Sequence, residues 1–161
     1  MDFFKEIFTG ANLALLGGVL AAAMGGIGSA KGVGHVGSVA AGVLSEKPEL
    51  FGKLLILQAL PGTQGIYGLL VWFFVMLQGG FFSGAQGDIS LLKGLMYLLA
   101  CIPCILVLYF SAVHQGNVAA DGVLMVAQKP EEQSKPLILS AMVETYAILA
   151  LLASVLSIML V

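Results

Sequence analysis

The chain has 161 residues, of which 59% are hydrophobic and 10% are charged, and its formal net charge is −2. A soluble domain carries roughly 25% charged residues, and so short a chain cannot bury this much apolar surface in a soluble core. The composition therefore predicts an integral membrane protein, and the charge balance gives no basis for binding nucleic acid.

Four apolar segments are long enough to cross a bilayer, which takes about 20 residues of helix. They comprise residues 12–44, 50–77, 91–126 and 137–160. The first and third exceed the bilayer thickness and should tilt or protrude. The N-terminus lacks a basic segment followed by a short apolar core and a cleavage site, so we expect no signal peptide. The predicted fold is all-α, with four transmembrane helices in one membrane domain, residues 1–161.

The connections between the spans differ in charge. The first and third connections and their flanks carry most of the lysines, namely Lys47, Lys53, Lys129 and Lys135, with Lys31 nearer to that side and Lys5 and Lys93 on the other. Basic residues are enriched in cytoplasmic loops. The two Lys-Pro-Glu loops are therefore predicted to be cytoplasmic and both termini to lie outside.

The chain contains a tandem repeat with an offset of 82 residues. Lys47-Pro48-Glu49 recurs as Lys129-Pro130-Glu131, and further identities follow without a gap. They pair Ser29-Ala30 with Ser111-Ala112, Gly34 with Gly116, Leu55-Ile56-Leu57 with Leu137-Ile138-Leu139, and Thr63 with Thr145. An even number of spans separates the copies, so both have the same orientation. The repeat predicts one helical hairpin at residues 12–77 and a second at residues 91–160.

Glu144 is the only charged residue in the last span. A carboxylate at the centre of a membrane helix costs at least about 2.5–3.5 kcal/mol, and such residues are usually functional. The repeat counterpart of Glu144 is Gly62, so the chain has one such carboxylate for two hairpins. A structural salt bridge would be expected in both copies or in neither, so this asymmetry favours a functional carboxylate.

Three polar residues on other spans lie at the depth of Glu144. Thr63, Gln64 and Gln115 each stand, like Glu144, 14 to 17 residues from the lysine of their cytoplasmic loop. At about 1.5 Å of rise per residue, these positions fall within roughly one helical turn. Their hydroxyl and amide oxygens could join the carboxylate in a cage for a small cation. Alternatively, they could be interhelical hydrogen bonds that only hold the helices together.

Pro61 places a break in the second span at the same depth. Proline cannot donate to the carbonyl four residues earlier, and broken helices at the membrane midplane expose carbonyls that often coordinate Na⁺. Leu60, directly before the proline, is the candidate carbonyl ligand. Tyr67 lies about one turn beyond Gln64 and could donate a hydrogen bond to Glu144.

Five other residues capable of chemistry have simpler explanations. Cys101 and Cys104 form a Cys-x-x-Cys pair, but they lie in an apolar run beside Pro103 and are expected to serve packing. Asp121 lies close to the cytoplasmic end of the third span and is expected at the interface. His35 and His114 are expected to be packing or interface residues.

Small residues are concentrated in the first and third spans. They include Gly25, Gly26, Gly28, Ser29, Ala30, Gly32, Gly34, Gly37 and Ser38 in the first, and Ser111, Ala112, Gly116, Ala119 and Ala120 in the third. Such faces suit the crowded inner wall of a ring, with the bulkier second and fourth spans outside. Ordinary close packing in a monomeric bundle is the alternative.

Three motifs together resemble one known family. They are Gly-Ile-Gly-Ser-Ala-Lys-Gly at 26–32, Leu-Pro-Gly-Thr-Gln-Gly-Ile-Tyr-Gly at 60–68 and Met-Val-Glu-Thr-Tyr-Ala-Ile-Leu at 142–149. With the tandem hairpins, they resemble the proteolipid of the V-type ATPase rotor ring (its c or K subunit) over nearly the whole chain, most closely the bacterial sodium-pumping form. The resemblance implies a ring of about ten copies in a bacterial plasma membrane. It also implies that spans one and three line the inside of this ring.

The resemblance further implies a set of ion ligands and partners. The transported ion would be Na⁺, held by the main-chain carbonyl of Leu60 and by Thr63, Gln64, Gln115 and Glu144. Tyr67 would hydrogen-bond the carboxylate. The protein would be a non-catalytic member of its complex, with ATP hydrolysed elsewhere. A stator membrane subunit with an essential Arg and a central-stalk subunit on the cytoplasmic loops would be its partners.

Two other functions stay open at this point. A proton-carrying rotor subunit needs only a carboxylate in an apolar surround, and the two glutamines exceed that need. A self-contained small transporter or pore-forming proteolipid would work without a large ring.

Overall fold

The computed structural model describes residues 7–161, and within this range it is helical apart from short connections. The helices long and apolar enough to cross a membrane are Gly10–Leu44, Pro48–Gln78, Leu91–Gln128 and Pro130–Met159. The all-α fold with four spans is therefore confirmed. The fourth span was predicted to begin at residue 137, directly after Pro136, but its α-helix begins at Ser134. Pro136 lies in the first turn of this helix, where the amide hydrogen that proline lacks would have no helical partner.

Two spans are single α-helices that begin at capping side chains. The first, α1 (Gly10–Leu44), begins after Thr9, whose hydroxyl accepts from the amide of Asn12 at 3.2 Å. The third, α4 (Leu91–Gln128), begins after Ser90, whose hydroxyl accepts from the amide of Lys93 at 3.2 Å. Serine and threonine at this position bond the otherwise unpaired amides of the first turn.

The second and fourth spans contain short 3₁₀ segments. The second begins with the 3₁₀ turn Pro48–Leu50 and continues as α2 (Phe51–Ala59), the 3₁₀ turn Leu60–Gly62 and α3 (Thr63–Gln78), so the helix changes geometry at Pro61. The fourth begins with the 3₁₀ turn Pro130–Glu132 and continues as α5 (Ser134–Met159).

The two Lys-Pro-Glu loops lie side by side at one end of the bundle. Lys47 and Lys129 adopt nearly the same backbone conformation, with φ/ψ of −132°/67° and −137°/81°. The ammonium of Lys47 donates to the carbonyl of Ala127 at 2.6 Å, and that of Lys53 donates to the carbonyl of Pro130 at 2.8 Å. These bonds tie the two loops together and bring both hairpins to a common level.

Part of the small-residue face serves packing within the chain. A Cβ atom on Gly32 would lie 2.5 Å from the carbonyl oxygen of Ala112, and one on Gly116 would lie 2.5 Å from the Cα atom of Gly32. Glycine therefore allows α1 and α4 to touch through their backbones. Gly26 and Gly34 face open space, with nothing within 4 Å of an added Cβ. These open positions are free for contacts outside the chain.

The interior consists of two apolar clusters separated by a polar layer. The cluster near the Lys-Pro-Glu loops includes Leu54, Leu57 and Val123, and the cluster toward the other end includes Tyr97 and Leu108. The buried polar residues that fall between the clusters along the chain are Ser29, Gln64, Ser111, Gln115 and Ser140. Buried polar groups require hydrogen-bond partners, so this layer is where the bundle concentrates its side-chain bonds.

Candidate ion-binding site

The carboxylate of Glu144 lies on α5, half-buried, and accepts hydrogen bonds from two other spans. Its Oε1 atom accepts from the hydroxyl of Tyr67 on α3 at 2.6 Å. Its Oε2 atom accepts from Nε2 of Gln115 on α4 at 3.2 Å. Each carboxylate oxygen has a second lone pair. Both oxygens therefore keep acceptor capacity for a further ligand.

Two glutamines connect the carboxylate to the second span. Gln64 and Gln115 are fully buried within the chain. Nε2 of Gln64 donates to Oε1 of Gln115 at 2.6 Å and to Oγ of Ser111 at 3.2 Å. Burying an amide without hydrogen bonds costs at least about 1–3 kcal/mol, so these bonds are what make the polar layer tolerable in the membrane.

The helix break at Pro61 supplies two more oxygens. The hydroxyl of Thr63 lies 3.1 Å from the carbonyl oxygen of Leu60 and 3.3 Å from Oε1 of Gln64. Because Pro61 forces a 3₁₀ turn, Thr63 begins α3 with its side chain directed back along the turn toward Leu60. The oxygens of Leu60, Thr63 and Gln64 are thus neighbours within one turn.

Glycines allow α1 to approach this turn closely. A Cβ atom on Gly25 would lie 2.5 Å from the carbonyl oxygen of Gln64, and one on Gly32 would lie 2.6 Å from Cβ of Pro61. Between them, Oγ of Ser29 accepts from the backbone amide of Gly65 at 2.8 Å. Helix α1 therefore packs closely against the broken segment and holds it in place.

The oxygen atoms of this network could act as ligands for a cation, and together they carry one formal negative charge, that of Glu144. Within residues 7–161, no three His, Cys, Asp or Glu side chains come together as a metal cluster. Glu144 is thus the only acidic group among the bonded polar side chains described above. Hard cations prefer oxygen ligands. One carboxylate with neutral oxygens is neutralised by one monovalent cation or by one proton.

The structure brings together every residue that the sequence predicted for this site. Leu60, Thr63, Gln64, Gln115 and Glu144, with Tyr67, form one continuous chain of hydrogen bonds.

The other candidates named from the sequence lie elsewhere. His35 and Asp121 are exposed, and His114 is exposed beside Gln115 without a hydrogen bond to the network. Cys101 and Cys104 are free thiols in the apolar cluster that contains Tyr97 and Leu108. The polar layer separates this cluster from the Lys-Pro-Glu loops. All five therefore lie outside the bonded site.

Sequence reasoning missed the role of Ser111 and Ser29. By residue type and position they are small residues and members of the repeat, and nothing more was predicted for them. Ser111 lies one helical turn before Gln115, and residues four apart share a helix face. That spacing was a signal that could have identified Ser111.

Comparison with known proteins gives two matches of one family within the chain. The family, described as the C subunit of ATP synthase, matches residues 16–75 and again residues 98–157. The two matched ranges are 82 residues apart, the offset of the internal repeat.

Individual relatives extend this similarity over nearly the full length. The chain is 44% identical to the V-type sodium ATPase subunit K of Enterococcus hirae over 154 residues, which cover 96% of this chain and 95% of that protein. It is 35% identical to the A-type ATP synthase subunit K of Methanocaldococcus jannaschii over 89% of this chain and 60% of that protein.

Proposed function

Because this chain belongs to the family of the ATP synthase C subunit, we propose that it is a rotor-ring subunit of a V-type ATPase that carries Na⁺ across the membrane on Glu144. The protein is non-catalytic, and ATP is hydrolysed elsewhere in the complex. One observation carries the choice of Na⁺, namely the buried pair of glutamines beside the carboxylate: Gln115 donates to Glu144, and Gln64 donates to Gln115. A proton requires a carboxylate in an apolar surround, whereas a desolvated Na⁺ requires several oxygens to replace its water.

The proposed ligands are the oxygens already adjacent in the network. They are the main-chain carbonyl of Leu60, the hydroxyl of Thr63, the amide oxygens of Gln64 and Gln115, and the carboxylate of Glu144. The hydroxyl of Tyr67, 2.6 Å from the carboxylate, holds Glu144 toward the other ligands without being a ligand. In this proposal, the ion replaces the hydrogen that the hydroxyl of Thr63 directs at the oxygens of Leu60 and Gln64, and Gln64 keeps its bond to Ser111.

Charge neutralisation explains how a membrane carboxylate can move. An ionised Glu144 facing lipid would cost several kcal/mol or more, whereas a carboxylate paired with Na⁺ carries no net charge into the hydrocarbon. Rotation past lipid is therefore possible only when the site is loaded. A stator subunit with an essential Arg would release the ion at the exit by offering the carboxylate another cation. The same rotation, driven backwards, would serve synthesis.

We place the protein in a bacterial cell membrane as a ring of about ten copies, a closed cyclic assembly. The large apolar side chains exposed on α3 and α5, such as Ile66 and Met142, suit contact with lipid or with a neighbouring copy. The Lys-Pro-Glu loops would face the cytoplasm and bind a central-stalk subunit, with both termini outside. Small residues that face open space on α1, Gly26 and Gly34, suit the inner wall.

The test is protection of Glu144 from a hydrophobic carbodiimide, which modifies a protonated carboxyl. In detergent-solubilised rings at a pH where the reagent reacts, rising Na⁺ should slow the labelling of Glu144, and K⁺ at the same ionic strength should not. Mass spectrometry of the labelled chain measures the rate. Labelling that is equally fast with and without Na⁺ would show that the site takes protons only.

The Glu144→Gln variant is the matched control for this experiment. Gln keeps the size of the side chain, so the ring should assemble, and native mass spectrometry can verify that it does. The variant should show no labelling at this site and no coupled transport. A ring that still pumps with Gln at this position would remove Glu144 from the mechanism.

A further inference from the structure

Ser111 lies in the polar layer on α4, where only 7% of its surface is exposed. Its hydroxyl makes two hydrogen bonds to different spans. The Oγ atom accepts from Nε2 of Gln64 at 3.2 Å, and the hydroxyl donates to the backbone carbonyl of Val143 at 3.3 Å. Val143 directly precedes Glu144 on α5. Ser111 therefore links the second span to the residue next to the carboxylate.

The chemistry of a hydroxyl makes this link directional. A serine has one hydrogen to donate, and here it goes to the carbonyl of Val143. The oxygen of Ser111 can then only accept, so it can face the NH₂ end of Gln64 and not the oxygen end. Oε1 of Gln115 is a second acceptor for the same NH₂ group, at 2.6 Å.

Both amide hydrogens of Gln64 are therefore assigned, and its oxygen must point the other way. That oxygen lies 3.3 Å from the hydroxyl of Thr63, which also lies 3.1 Å from the carbonyl oxygen of Leu60. If the amide were rotated by half a turn, its oxygen would face the acceptor oxygens of Ser111 and Gln115 and make no hydrogen bond to either. This rotation would also direct NH₂, which cannot bind a cation, toward Thr63.

We propose that Ser111 is a positioning residue for the cation: it holds the amide of Gln64 so that the oxygen, and not the nitrogen, faces the ion. The inference rests on the proposed function, because it assigns the amide oxygen of Gln64 to Na⁺. Ser111 itself touches neither the carboxylate nor the ion. It acts on cation binding only, through Gln64.

The test compares Na⁺ protection with labelling in the absence of Na⁺. In Ser111→Ala rings, the Na⁺ concentration that halves carbodiimide labelling of Glu144 should rise about 3- to 10-fold, the effect of one neutral hydrogen bond. The pH profile of labelling without Na⁺ should not change, because the hydroxyl of Ser111 bonds Gln64 and Val143 and not the carboxylate. A general disturbance of the site would move both quantities.

Two further variants separate the hydroxyl from packing. Ser111→Thr keeps the hydroxyl and adds one methyl group at a residue that borders an open groove with Phe110, His114 and Tyr146. It should restore protection to within about twofold of the original chain, well inside the effect of one hydrogen bond. Ser154→Ala removes another buried hydroxyl, which accepts from the amide of Cys104 at 3.3 Å, away from the site, and should leave protection unchanged.

The outcomes distinguish this inference from the proposed function. If the original chain shows no protection by Na⁺, the proposed function fails. If it shows protection and Ser111→Ala matches it, the positioning role fails while the function stands. The role also fails if Ser111→Thr is as weak as Ser111→Ala, or if Ser154→Ala weakens protection to the same extent.

Discussion

Replacing Gln115 with leucine removes the group that joins the carboxylate to the second glutamine. Leucine has a similar volume, so the contacts between helices α4 and α5 are largely kept. Two bonds are lost, the 3.2 Å bond from Nε2 of Gln115 to Glu144 and the 2.6 Å bond from Gln64 to Oε1 of Gln115. One proposed Na⁺ ligand disappears with them.

The size of the effect follows from the lost ligand. A polar contact to a charged group contributes about 1.5–3 kcal/mol, and in the proposed site the amide oxygen of Gln115 makes such a contact to Na⁺. Taking about 1.5–3 kcal/mol as the net loss, the Na⁺ concentration for half protection should rise roughly 10- to 150-fold, at tenfold for each 1.4 kcal/mol.

The assay is a Na⁺ titration of carbodiimide labelling at Glu144, followed by mass spectrometry on rings of verified native mass. Gln58→Leu is the matched control. It makes the same substitution on α2, within the same membrane bundle, at a side chain that contacts Gly37 rather than the site. If Gln115→Leu and Gln58→Leu require the same Na⁺ concentration as the original chain, Gln115 is not a cation ligand, and the choice of Na⁺ over a proton loses its support.

Two more substitutions probe the surroundings of the ligands. Tyr67→Phe removes the 2.6 Å bond to Glu144 but no proposed ligand. Because this bond holds the carboxylate both with and without the ion in the proposed site, most of its contribution cancels, and the half-protecting Na⁺ concentration should rise only about 3- to 10-fold. A larger loss than in Gln115→Leu would make Tyr67 a ligand. Gly32→Ala would place a Cβ 2.5 Å from the carbonyl oxygen of Ala112 and should destabilise the bundle by about 1–3 kcal/mol, measured as a lower thermal midpoint in detergent. Gly42→Ala, which meets nothing within 4 Å, should not lower it, and equal midpoints for the two variants would refute the close contact of α1 and α4.

The sequence alone predicted the four spans and the membrane depth at which the site residues lie. Both depend only on the order of residues along the chain, namely on the length of an apolar run and on the number of residues between two positions. An apolar run of bilayer length has to satisfy its own backbone hydrogen bonds in lipid and therefore forms a helix. Helical rise is nearly constant, so the distance of Gln115 or Gln64 from its loop lysine translates into depth. Pro61 marks the break in the second span because its ring cannot donate a helical bond.

The tertiary structure decided the directions of the bonds at that level. Residue counting places Ser111 near Gln115, but only the packing of α3, α4 and α5 shows that its single hydrogen goes to Val143, which leaves its oxygen for the amide of Gln64. The same holds for the small residues of α1, where Gly32 contacts α4 within the chain and Gly34 faces open space. Depth depends on the number of residues along one helix, whereas direction depends on how neighbouring helices are rotated and how closely they approach. That rotation and approach arise from contacts between residues far apart in the sequence.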